Sequence, residues 1–170
     1  CIANGLLLSI SKALPNLQFE QRKEVARLFE RLLRHPAATE HILRCAEDIT
    51  QILLQHFKIE SVVPLVGPML KPLLQNEPIL KRFLENAENV LTLLNYMRKN
   101  DLDLMVHAFS TLENIFTSQS SAITPFLDSH FDLFFDSILS ILVESKENTL
   151  TRLWLLSLLN AIISNRKNSS

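Results

Sequence analysis

The strongest constraint on how this chain folds is a pattern of apolar pairs that returns at nearly constant spacing. In four segments two adjacent residues are followed four positions later by two more: Leu28-Phe29 with Leu32-Leu33, Met69-Leu70 with Leu73-Leu74, Thr111-Leu112 with Ile115-Phe116, and Leu158-Leu159 with Ile162-Ile163. Successive anchors are offset by 41, 42 and 47 residues. The segments between them repeat as well: HILRCAEDI, RFLENAENV and PFLDSHFDL share a leucine (Leu43, Leu84, Leu127) and a closing apolar residue (Ile49, Val90, Leu133), at offsets of 41 and 43. An ordinary bundle has no reason to keep such spacing, whereas stacked helical pairs that bury their faces only against neighbours repeat at about 40 residues. The chain is therefore expected to be all-α, a HEAT- or armadillo-like helical-repeat solenoid (an α-α superhelix) of about seven to eight helices, in a single domain over residues 1–170.

Taken in order, an apolar run over Ile2–Leu14 ends at Pro15, as helices do at proline. Phe19–His35 follows the i, i+3, i+4 rule through Val25, Leu28, Phe29, Leu32 and Leu33, and its Glu and Arg residues form a solvated face. Thr39–Phe57 is the next helix, after Pro36. In Glu60–Gln75, Pro64, Pro68 and Pro72 lie along one ridge; each removes a backbone donor, so this helix is expected to kink or break with the ridge toward solvent. Ile79–Arg98, Leu102–Ser118 capped by Asp101, Phe126–Val143 opened by Thr124-Pro125, and Asn148–Arg166 complete the set.

Composition excludes several function classes. Seventeen basic against 18 acidic residues leave a net charge of −1, so the clustered positive surplus of a nucleic-acid binder is absent. Only two glycines, Gly5 and Gly67, are available, which removes phosphate-cradling and calcium-binding loops. Cys1 and Cys45 fit no metal spacing, and two cysteines in a chain this long point to a reducing compartment. The longest apolar stretch, Leu150–Ile163, is interrupted by Arg152 and is too short to span a bilayer, so a cytoplasmic location without membrane insertion is expected. The chain opens on Cys1 in mid-helix rather than on Met, as expected of a fragment. No Ser-His-Asp order, HExxH or paired-carboxylate pocket appears; catalytic residues, metal ligands and cofactors are all expected to be none. His41 and His56 have no ligand-spaced partner, His107 and His130 lie on helices amid apolar neighbours, and Asp132 and Asp136 read as solvated.

The repeat register also marks a surface. Ten residues before the anchors stand Phe19, Glu60, Leu102 and Thr149; one turn on come Lys23, Pro64, Val106 and Leu153; a further turn gives Arg27, Pro68, Ser110 and Ser157. At about 100° per residue this stripe lies well away from the core face. In the last two repeats it turns apolar, through Leu102, Val106 and Leu153, either to pack a neighbouring helix or to bind a partner. Trp154, the single tryptophan, has the same two readings: core or inter-repeat packing, and an interface hot spot.

Several stretches carry a family resemblance. FEQRKEVARLFERLLR (Phe19–Arg34), NEPILKRFL (Asn76–Leu84), LDLMVHAFSTLENIF (Leu102–Phe116), FLDSHFDLFF (Phe126–Phe135) and ENTLTRLWLLSLLNAIISNRKN (Glu147–Asn168) resemble, in order, the mouse-protein-25 scaffolds, also called the calcium-binding protein 39 family. The resemblance implies a non-catalytic helical-repeat scaffold that binds and activates kinases of the Ste20 and germinal-centre class, or the STRAD pseudokinase. It further implies a chain truncated at both ends relative to that family. No loop here has the alternating acidic ligands and central glycine that calcium would need, so calcium binding is not expected.

Carried over residue by residue, the family's kinase-facing aromatic before the aspartate of the third repeat falls on Leu102, and its tyrosine at the head of the last helix falls on Thr149. The basic residues that receive a partner's Trp-Glu-Phe tail fall on Leu153 and Ser157, with Arg152 adjacent; the arginine near the end of that helix is kept as Arg166. The expected partner-binding residues are thus Leu102, Val106, Thr149, Arg152, Leu153 and Arg166, facing a protein kinase or pseudokinase domain. The alternative is a general peptide-binding armadillo-type adaptor with no kinase role.

Overall fold

The computed structural model describes residues 2–99 and 101–167, with side chains over 5–35, 42–99 and 101–164. Ten α-helices run through the described residues, with no strand among them: α1 Ile2–Ala13, α2 Phe19–Leu33, α3 Pro36–His56, α4 Val63–Leu74, α5 Glu77–Glu85, α6 Ala87–Tyr96, α7 Leu102–Thr117, α8 Ile123–Ser129, α9 Phe131–Glu144 and α10 Thr149–Lys167. The helical-repeat expectation stands, but the count of seven to eight is too low, because two expected helices are each two. Ile79–Arg98 divides at Asn86, whose backbone is extended and whose Oδ1 accepts from Glu88 N–H at 3.2 Å, capping α6. The stretch opened by Thr124-Pro125 divides at His130, where φ −126° and ψ 24° leave the helical region between α8 and α9. Neither Asn nor His stops a helix by itself, so apolar periodicity runs through both breaks.

Two compact units divide the chain, residues 1–83 and 84–170. In the first, α1 packs on α3, α2 on α3 and α4, and α3 on α4. The shared core includes Leu7, Phe29, Ile49, Leu53, Phe57, Met69, Leu70 and Leu73, all nearly inaccessible to solvent. The salt-bridged face of α2 is solvated as its sequence indicates: Lys23–Glu20 at 3.1 Å, Arg27–Glu24 at 2.6 Å and Arg34–Glu30 are exposed i, i+3 or i, i+4 pairs. Arg22 departs from that face. Its guanidinium donates to Ser61 O at 2.6 Å and Pro15 O at 3.0 Å, joining the turn after α1 to the turn after α3. Gln18 and Gln21 cap α2 reciprocally.

The proline-rich helix does not break. A single 3-10 turn, Glu60–Val62, leads into an uninterrupted α4, with Pro64 in the first turn and Pro68 and Pro72 inside the helix. Pro64 and Pro68 face solvent and Pro72 is half-buried, so the freed carbonyls lie toward water rather than inside the core. The opposite side, Val63, Val66, Met69, Leu70, Leu73 and Leu74, is buried and keeps the helix together.

In the second unit α6 packs on α7 and α9, α8 on α9, and α10 on α7 and α9. Aromatic side chains form its centre: Phe116 of α7 lies 4.9 Å from Phe134 of α9 and 6.1 Å from Phe126 of α8, ring centre to ring centre. Asp101 Oδ1 accepts from Leu104 N–H at 3.0 Å, so the expected cap of α7 holds, and Asn148 Oδ1 accepts from Thr151 N–H at 3.1 Å at the start of α10. One closing residue is misplaced by the sequence register: Leu133 is 48 % exposed, and Phe134 is buried in its stead. Val90 and Leu94 of α6 and Met97 just past it correspond to Phe134, Ile138 and Ile141, an offset of 44 rather than 43. A one-residue shift rotates a helix by about 100°, enough to carry a side chain from core to solvent.

Candidate partner-binding site

Helices α7 and α10 lie side by side, and one aromatic pair sets how they meet. Trp154 of α10 stacks on Phe109 of α7 with ring centres 5.2 Å apart and planes 10° from parallel. Offset stacking of two large rings adds roughly 0.5–1.5 kcal/mol to the area they bury. Of the two readings of Trp154, inter-repeat packing is the one the structure shows. The two helices also bury equivalent positions: Leu104, Ala108, Thr111 and Ile115 on α7, and Thr151, Leu155, Leu158 and Ile162 on α10. Thr111 reaches burial with its hydroxyl satisfied, donating to His107 O at 2.8 Å.

This packing leaves the N-terminal halves of both helices with apolar side chains in solvent. Leu102 is 60 % exposed and Leu153 61 %, with Val106 and Leu150 also exposed. Leu102 and Val106 stand one turn apart on α7, as do Thr149 and Leu153 on α10. Of the six residues expected to face a partner, Leu102, Val106, Thr149 and Leu153 thus occupy corresponding positions on two packed helices and are exposed. Arg152 is exposed too, but sits about 100° around α10 from Leu153. Arg166 lies outside the residues whose side chains are described. In the first unit Phe19 is exposed with Lys23 Nζ over its ring, 4.1 Å from the centroid, a surface cation–π contact.

Sequence reasoning missed a polar network beside this surface. Arg98, just past α6, donates to Ser140 Oγ at 3.1 Å and pairs with Glu144 at 3.5 Å, and Ser140 in turn donates to Glu144 at 2.7 Å. The network ties the C-terminal ends of α6 and α9 across 42 residues of sequence, a separation no local pattern reports. Next to it, Met97–Lys99 and Glu144–Asn148 line a cleft of about 420 Å³ at the start of α10.

Burial is the largest cause of each perturbed titration. Desolvation lowers the His56 pKa, and its Nδ1 is buried without a partner among the described residues. Desolvation likewise raises the pKa of Cys45, which is buried, and of Tyr96. No group of three His, Cys, Asp or Glu side chains able to hold a metal ion occurs among the described residues, nor is any described helix long and apolar enough to cross a membrane.

Comparison with known proteins places the chain. The family profile described as Mo25-like matches residues 1–170. The chain is similar to a Mo25-like protein of Schizosaccharomyces pombe, 29 % identical over 98 % of this chain and 51 % of the relative. It is 25 % identical to the human calcium-binding protein 39-like protein over 98 % of this chain and 50 % of that one, and 27 % identical to MO25-like protein 2 of Caenorhabditis elegans over 98 % and 49 %. It spans about half the length of these relatives. With ten helices among the described residues and a family match from end to end, the chain belongs to the Mo25-like family.

Proposed function

We propose that this chain is part of a non-catalytic cytoplasmic scaffold whose exposed surface on α7 and α10 binds and activates a protein kinase of the Ste20 or germinal-centre class, or a STRAD-like pseudokinase. Family membership supports the scaffold reading. The observation that carries the choice of surface is the exposure of Leu102 and Leu153 on two helices fixed together by the Phe109–Trp154 stack. Uncovered apolar side chains on a rigid frame mark interfaces, and a rigid frame lowers the ordering cost of binding. Thr149 and Val106 extend the surface, the exposed Arg152 supplies charge about 100° around α10 from Leu153, and Arg166 of the same helix is a further proposed contact.

Activation needs no chemistry from the scaffold. A binder shifts a kinase toward its active form only by holding that form more tightly. Raising the active fraction from about 1 % to about 50 % takes a preference of roughly 100-fold, or about 2.7 kcal/mol. Burying two leucine side chains against a surface present only in the active form supplies roughly 3–6 kcal/mol before ordering costs, so a contact of this size suffices. The test is co-purification with Ste20-class kinase domains: the chain retains at least one, and the Leu102→Asp, Leu153→Asp double variant loses it. Failure to retain any such kinase or STRAD-like domain sinks the reading.

A further inference from the structure

One side of α9 sets an apolar ridge beside an acidic one. Phe131, Phe135, Leu139 and Val143 recur every fourth residue, and the parallel row one residue on reads Asp132, Asp136, Ser140 and Glu144. Leu139 is 55 % and Val143 64 % exposed; Phe131 is exposed as well, its ring against that of Phe135 at 4.5 Å between centres. Packing within this unit does not ask for large apolar side chains here. At the offset of 44 the four correspond to Ala87, Leu91, Asn95 and Lys99, of which Asn95 and Lys99 are exposed and the other two only half-buried, although α7 and α9 pack on α6. Asp132 and Asp136 are exposed one turn apart, and no basic side chain pairs with either among the described residues. Like charges at that spacing repel, so both carboxylates favour a cation brought from outside. Glu144, by contrast, is already held by Arg98.

We propose that this side of α9 docks a cationic amphipathic helix of a partner protein, with the partner's apolar side chains along Phe131, Leu139 and Val143 and its lysines or arginines against Asp132 and Asp136. Rows four residues apart are the ridges with which helices interdigitate, so the shape fits a helix, and residues 131–143 offer it about 18 Å, or roughly three turns. The apolar ridge supplies the buried area, and the unpaired carboxylates select the sign of the partner's charge. A second copy of this chain fits less well, because two such faces bring acidic rows together. An anionic bilayer is repelled by the same carboxylates. The site shares no residue with the surface on α7 and α10, and it does not rest on the kinase reading.

The test titrates this chain against a fluorescein-labelled amphipathic helical peptide of leucine and lysine, about four turns long, and against its counterpart with glutamate in place of every lysine, read by anisotropy. The lysine peptide should bind saturably with a Kd below about 100 μM, and the glutamate peptide at least about tenfold more weakly. Leu139→Gln with Val143→Gln should weaken the lysine peptide about tenfold. Asp132→Asn with Asp136→Asn should weaken it about threefold or more and flatten its loss of affinity with added salt. All four are surface changes, so each double variant should keep its Tm within about 2 °C. A lysine peptide that does not saturate, or a glutamate peptide that binds as well, overturns the proposal. So does binding left unchanged by either folded double variant, or binding lost instead in Leu102→Gln with Leu153→Gln. A concentration-dependent dimer that Leu139→Gln with Val143→Gln dissolves also overturns it, because the occupant is then a second copy.

Discussion

The ring of Trp154 lies flat on that of Phe109, 5.2 Å away, and this contact holds α10 against α7. Replacing a large half-buried aromatic with alanine removes both its buried area and its partner's cover. Trp154→Ala is expected to cost about 2–4 kcal/mol in urea unfolding, and Phe109→Ala somewhat less. A double-mutant cycle between them should return a coupling of about 0.5–1.5 kcal/mol. Additive effects would mean the rings do not interact.

Arg22 is the corresponding fastener of the first unit, donating to Pro15 O and Ser61 O. Arg22→Met keeps much of the stem but leaves two carbonyls without their charged donor, with an expected loss of about 1–3 kcal/mol. Arg22→Lys should recover little, because a single ammonium does not reproduce the two-pronged planar fork. Equal stability of wild type and Arg22→Met would contradict this role.

Thr151 makes the opposite prediction. Its side chain is fully buried and Oγ1 has no partner among the described residues. Thr151→Val keeps the shape and removes a desolvated hydroxyl, so stability should be unchanged or rise by up to about 1 kcal/mol. Thr111→Val deletes a formed bond to His107 O and should not stabilise. Thermal melts of the two variants compare the signs directly.

His56 gives a pH dependence. Burial lowers its pKa below the ordinary value of 6.5, so the unfolded chain binds more protons than the folded chain between those two values. The contribution to stability is complete above the unfolded pKa and is lost as pH falls from about 6.5 through the folded pKa. Tm should therefore decline on acidification below about pH 7, and His56→Gln should flatten that part of the curve. A profile identical in the variant would remove His56 from the account.

Much of this was legible in the sequence, and the reasons differ by element. Asp101 announces its helix because a cap is a local event, fixed by a side chain three residues from its partner. The proline ridge of α4 was correctly turned outward, but its helix stays whole because one buried side supports it, which is a tertiary effect. The breaks at Asn86 and His130 were hidden by uninterrupted apolar spacing, and the extra residue between α6 and α9 turned Leu133 out of the core. Leu28 and Ile163, anchors of the first and last pairs, are exposed although Phe29 and Ile162 beside them are buried. Periodicity says that a helix has an apolar side, and only the neighbours decide how much of it is covered. The exposed positions Leu102, Val106, Thr149 and Leu153 were readable from the repeat register, and so was the step of about 100° that separates Arg152 from Leu153.

The most direct test of the central claim is the turnover rate of a Ste20-class kinase domain titrated with this chain and with its Leu102→Asp and Leu153→Asp variants. Both leucines are surface residues on intact helices, so stability should change by no more than about 0.5 kcal/mol. Wild type should raise turnover with saturation, and each variant should weaken the half-maximal concentration about tenfold or more, a loss of roughly 1.4 kcal/mol. Activation of unchanged strength by both folded variants would contradict the assignment of this surface.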